Sequence, residues 1–126
     1  MAEGYIKLGD LFVYKISLEL CDLGWQIYEP MDWRIKKIMG DQFIESTDSN
    51  AANIAEGYGR YHYLDRIKFY YNARASLLEA KHWILLLYKR KKITKEQFDE
   101  FITRAEQVGY ELNKFIKQTY NSKYQK

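Results

Sequence analysis

The sequence predicts an all-α protein, an up-down-up-down antiparallel four-helix bundle. Three observations carry this reading. Apolar residues recur every three or four positions through four long stretches, the period of helices that bury one face. The breaks between the stretches are short, and short connections make successive helices antiparallel neighbours. Nowhere does the chain show the strict alternation of a half-buried strand.

The first helix is predicted over residues 10–28, with Asp10 as its cap. It carries two apolar stripes, Phe12, Ile16, Leu20, Leu23 and Ile27, then Leu11, Tyr14, Leu18, Cys21, Trp25 and Tyr28. A helix packed on two neighbours needs one wide stripe, so part of this surface is expected to face another subunit. Pro30, the only proline, ends the helix, because proline lacks a donor and restricts its predecessor. The second helix, 33–58, starts at an Asp32 cap and points Ile35, Ile38, Met39, Phe43 and Ile54 inward. Its stretch Ser46 to Asn53 holds weak helix formers, whose side chains compete for the backbone. The helical spacing nevertheless continues to Ile54, and Gly57 and Gly59 supply the stop. The third helix, 63–90, has the seam Ile67, Tyr70, Ala73, Leu77, Ala80, Ile84 and Leu87. Thr94 and Gln97 then form a capping box for the fourth, 95–120. Its inner face is Phe98, Phe101, Ile102, Ala105, Val108, Leu112, Phe115 and Ile116, with acids in the first turns and lysines in the last, matching the helix dipole.

At 126 residues the chain makes one domain, 1–126, long enough to bury about two thirds of its surface. The single cysteine, Cys21, excludes an internal disulfide and reads as a small core residue. Met1 to Tyr5 lack the pattern of a signal peptide. The longest apolar run, Trp83 to Tyr88, is far short of the roughly 20 residues of a membrane span. A cytoplasmic protein without a membrane role is expected. Aromatic residues make up 17% of the chain, with 12 tyrosines, more than a small bundle needs inside and of the kind favoured at interfaces.

The run from Gln42 through Asn53-Ile54-Ala55-Glu56-Gly57-Tyr58-Gly59-Arg60 resembles the signature of the bacterial four-helix bundle family named for 23S ribosomal RNA intervening sequences. Asp65, Phe69, Ala73, Ser76 and Glu79 fall where that family carries an acid, Phe, Ala, Ser and Glu. After Gln42 the chain departs from the family's Leu-Arg-Arg-Ala, reading Phe43-Ile44-Glu45-Ser46 instead. The resemblance implies a ring-like homo-oligomer, a pentamer, without catalytic activity. A related branch serves diversity-generating retroelements as an accessory protein that binds a reverse transcriptase and nucleic acid.

Glu79 and His82 spell the Glu-x-x-His of di-iron bundles, but three residues before the only other histidine, His62, stands Gly59, so the second half-site is missing. No metal, cofactor or catalytic residue is expected, and no nucleophile–base pattern emerges. Asn50, Asn53, Glu56, Ser76 and Glu79 read as a polar network that sets helix register, since buried polar groups must be paired. In an up-down bundle the first and third connections share an end. Arg34, Lys36 and Lys37 then converge with Lys89, Arg90, Lys91 and Lys92, diluted by Glu96, Asp99 and Glu100. The net charge is only +3, so clustering rather than total charge would attract RNA or DNA. The expected function is an oligomeric, non-catalytic scaffold that binds nucleic acid, or a nucleic-acid enzyme such as a reverse transcriptase, through its basic ends. The alternative is a protein–protein interaction oligomer without a nucleic-acid role.

Overall fold

Four long helices make up most of residues 6–122, the part of the chain that the computed structural model describes, and none of these residues is in a strand. Met1 to Tyr5, where the absence of a leader was read, lie outside the described residues. Among the described residues no helix is long and apolar enough to cross a membrane.

A single 3-10 turn, Leu8–Asp10, precedes α1, Phe12–Tyr28. Asp10 therefore does not cap α1. The cap position falls to Leu11, whose side chain makes no capping bond. The α1 chain stops two residues before Pro30, and Asp32 restarts it by accepting a bond from the Ile35 backbone N–H at 3.0 Å. The second helix, α2 (33–58), opens as Trp33–Ile35, widens through a π turn, Lys36–Gly40, and continues as Asp41–Tyr58. The wide turn advances each residue by a smaller angle, so Met39 and Phe43 follow Ile35 inward. Ile38, expected inside, is turned out and 55% exposed. Helix α3 is Tyr63–Lys89 and α4 is Lys95–Ser122. The capping box forms: the Thr94 hydroxyl accepts from Gln97 N–H, and the Gln97 side chain accepts from Thr94 N–H. Lys114 and Lys117 stand in the later turns of α4, and the last described turn itself carries no basic residue.

Each helix packs on its sequence neighbour, and α1 also packs on α4. Between α2 and α3 the contacts run in reverse order: Met39 meets Arg90, Asn50 meets Ala73, and Gly57 meets Tyr70. All seven residues of the α3 seam are buried. The core has two parts. The larger gathers Leu20, Phe43, Ile84 and Phe101, with the two phenyl rings 5.0 Å apart and tilted by 60°. The smaller holds Ile54, Tyr70, Leu112 and Ile116. Buried small polar residues of α1 and α2, Ser17, Thr47 and Asn50 among them, accompany these apolar clusters.

The weak helix formers of α2 stay helical because their side chains are satisfied within the helix. Ser46 donates to Gln42 O, Thr47 to Phe43 O, and Asn53 to Ser49 O. Their small size also lets α1 come close, since a Cβ on Gly24 would lie 3.1 Å from Thr47 Cγ2. Cys21 sits in the same seam and donates to Thr47 O at 3.7 Å. Burial first, then the charge of Asp48, pushes its thiol up to about 12, so it stays protonated at neutral pH and is no nucleophile.

Candidate nucleic-acid interface

The connection between α3 and α4 is built by a backbone device. Lys91 N–H donates to Tyr88 O and Lys92 N–H to Leu87 O, the paired bonds of a Schellman turn. The residue at its centre must be left-handed, and here it is Lys91, with φ 60. Such turns ordinarily use glycine, because a Cβ in this region costs roughly 1–2 kcal/mol. The turn presents Lys89, Arg90, Lys91 and Lys92 to solvent.

The start of α2 lies beside it. Arg90 points its guanidinium at Met39, with Nη1 3.1 Å from the sulfur. Arg34 lies over the Trp33 ring at 5.9 Å, and Lys36 over the Tyr28 ring at 4.7 Å. Tyr28 in turn donates to Asp41 Oδ1 at 2.6 Å, which holds its phenol above the usual range. The two basic runs therefore meet at one end, although not all seven charges are equally free. Lys36 is half-buried and Arg90 is engaged, while Arg34, Lys37, Lys89, Lys91 and Lys92 project outward. Glu96, Asp99 and Glu100 stand exposed on the first turns of α4, with Asp99 paired to Lys95 at 2.7 Å.

The polar residues read as one network divide. Asn50 is fully buried and donates to Ala73 O at 2.9 Å, while its Oδ1 has no partner. Asn53 bonds Ser49 on its own helix, and Ser49 meets Ser76 of α3 at 3.1 Å. Glu56 and Glu79 are not part of it. Both are exposed, because a carboxylate inside would need a cation that the core does not offer. Glu56 lies 3.5 Å from Arg60, and Glu79 accepts from Trp83 Nε1 at 3.0 Å. Ser49, which carries the bridge to α3, is not among the residues that sequence spacing singled out. Among the described residues Tyr70 OH is the other buried side-chain polar atom without a hydrogen-bond partner, and burial drives its phenol far above the usual range. Among the described residues no three His, Cys, Asp or Glu side chains gather where a metal ion could be held.

Large apolar side chains also remain outside. On α3, Leu64, Tyr71, Leu78 and Leu85 stand seven residues apart and are between 37% and 61% exposed. On α1, Leu18 and Trp25 are likewise exposed and one heptad apart. The α3 stripe was not singled out from the sequence, where the buried seam running beside it dominates the periodicity.

The chain matches the family model described as 23S rRNA-intervening sequence protein over residues 9–114. A solved structure, a protein of unknown function from the S23 ribosomal protein family of Bacteroides thetaiotaomicron, is similar with a TM-score of 0.75. It is 24% identical, and the match covers 83% of this chain and 98% of that one, which supports the fold. No curated protein matches significantly. With the family model spanning most of its length, the chain belongs to the 23S rRNA-intervening sequence protein family.

Proposed function

We propose that the protein is a non-catalytic homo-oligomeric scaffold, an up-down-up-down antiparallel bundle that binds nucleic acid, or a nucleic-acid enzyme such as a reverse transcriptase, through its basic end. The observation that carries this reading is the meeting of Arg34 and Lys37 with the Lys89 to Lys92 turn, pinned by Arg90 against Met39. The family's name, which refers to 23S rRNA, supports the same class of partner. In a ring of five subunits, as the resemblance implies, the patch would be repeated and would gain avidity without new contacts.

Phosphate contacts release condensed counterions, so log affinity falls with log salt by about 0.7–0.9 per contact. Replacing Lys89, Arg90, Lys91 and Lys92 by Gln is expected to weaken RNA binding for all sequences alike and to flatten that slope. Folding survives, because exposed charges contribute little to stability. Fluorescence anisotropy with a structured RNA at two salt concentrations checks this. A parent protein without affinity even at low salt would remove the nucleic-acid role.

The heptad stripe favours a second reading, an oligomer that serves protein contacts alone. Residues repeating every seven positions pack as a coiled-coil seam, with leucine well suited to it. Leu78→Glu is expected to reduce the mass measured by light scattering while leaving the helical content unchanged, since the side chain is 61% exposed. An unchanged mass would clear the stripe of any part in assembly, and a parent that is monomeric at micromolar concentration would end the oligomer itself.

A further inference from the structure

The connection between α2 and α3 lies at the other end of α3 from the lysine turn, about 40 Å away for a 27-residue helix. Its sequence, Gly59-Arg60-Tyr61-His62, runs into Tyr63 at the start of α3 and sets three rings beside one guanidinium. Tyr61 is 93% exposed at the tip. Next to it the His62 and Tyr63 rings stack, with centroids 5.3 Å apart and planes 20° from parallel. His62 Nδ1 accepts from Leu64 N–H at 3.3 Å as the cap of α3, which leaves Nε2–H of the neutral ring as a further donor.

The cations around this tip are held in place before any ligand arrives. Arg66 Nε donates to Arg60 O at 2.6 Å, which ties the first turn of α3 to the loop. The Arg60 guanidinium lies 4.7 Å from the Phe69 ring centroid, and Arg66 lies 5.9 Å from that of Tyr58. Lys68 is exposed two residues after Arg66, on a different face of α3. Glu56, 3.5 Å from Arg60, and Asp65 in the first turn of α3 offset two of these three charges. The net field is therefore small, and the rings outnumber the uncompensated charge.

We propose that this loop is a stacking platform for unpaired nucleotides, with Tyr61 and the His62–Tyr63 pair taking bases and Arg60 and Arg66 taking the adjoining phosphates. Every base has a face that can stack on an aromatic ring, whereas bases in a duplex are already stacked on each other. The pinned guanidiniums reduce the ordering cost of binding. A duplex offers this tip only phosphates, for which its charge is poorly suited. The platform rests on the partner being a nucleic acid, but not on the lysine turn being the place that holds it.

The test compares a single-stranded RNA of about 12 nucleotides, within the site sizes of such platforms, with a duplex of equal length. Tyr61→Ala is expected to weaken single-strand binding roughly 5- to 150-fold, the range for losing one stacked base, and to leave duplex binding unchanged. Tyr61→Phe keeps the ring and is expected to keep the affinity. At 93% exposure neither change should disturb the fold, which circular dichroism confirms. Single-strand binding should also show a shallower salt slope than duplex binding. Full single-strand affinity in Tyr61→Ala, or equal losses on both probes, would overturn the platform while leaving the lysine turn in place. Loss confined to Tyr61→Ala, with the Lys89 to Lys92 Gln variant unaffected on either probe, would support the platform and overturn the turn. A parent that binds neither probe overturns both.

Discussion

Alanine at Gly57 is expected to destabilise the protein by about 2 kcal/mol, although alanine is ordinarily the better helix former by about 1 kcal/mol. The position is buried in the last turn of α2. A Cβ there would lie 2.7 Å from Tyr70 Cε1, 2.9 Å from Phe69 Cβ and 3.0 Å from Arg66 O. The last two are fixed to the α3 backbone and cannot swing aside. The helices would have to part, at the cost usual for an overpacked core. Gly59→Ala is the control, because its nearest neighbours are 3.6 and 3.7 Å away and it should be tolerated. Urea denaturation of both variants decides the matter. A Gly57→Ala protein as stable as its parent would mean that α2 and α3 are not held this close. The expected loss would explain the glycine of the Asn-Ile-Ala-Glu-Gly motif by packing rather than by a ligand.

Phe43→Ala should cost more, about 3–5 kcal/mol, the range for removing a buried phenyl group. The side chain has no exposure and packs on Phe101 in the larger core cluster. Truncation leaves a cavity beside Phe101 within the larger core cluster, to which α1, α3 and α4 all contribute. Phe43→Leu restores most of the volume and should recover most of the loss. The check is the denaturant midpoint at unchanged m-value. A deficit below about 1 kcal/mol would show that this cluster collapses freely around the gap.

The buried faces were largely readable because periodicity states which side of a helix meets its neighbours. The α3 seam is the clear case, every one of its residues being buried. Ile38 was misplaced because the same arithmetic assumes a uniform helix, and the π turn at Lys36–Gly40 breaks that assumption with no local composition to announce it. Asp10 looked like a cap by residue type, but capping depends on where the first turn starts, and a 3-10 turn takes Asp10 into itself. Glu56 and Glu79 were placed by spacing; if buried they would need a cation or amide partner, and both stay exposed instead. The Ser49–Ser76 contact needs the register between two helices, which no single helix contains. The basic end was legible by topology, since both runs flank connections, whereas the engagement of Lys36 and Arg90 depends on side-chain geometry.

Lys91 sets two design goals against each other. Glycine would relax its left-handed backbone but remove a positive charge. Asparagine tolerates the turn and is neutral. No standard residue combines an easy left-handed turn with a cation, so shape and charge at this point cannot be optimised together. Any programme that engineers the protein for heat resistance would find Lys91 among the first residues to replace. The gain would come from the same turn that carries the proposed binding charges, so a hardier version of the protein should be screened for binding before it replaces the original.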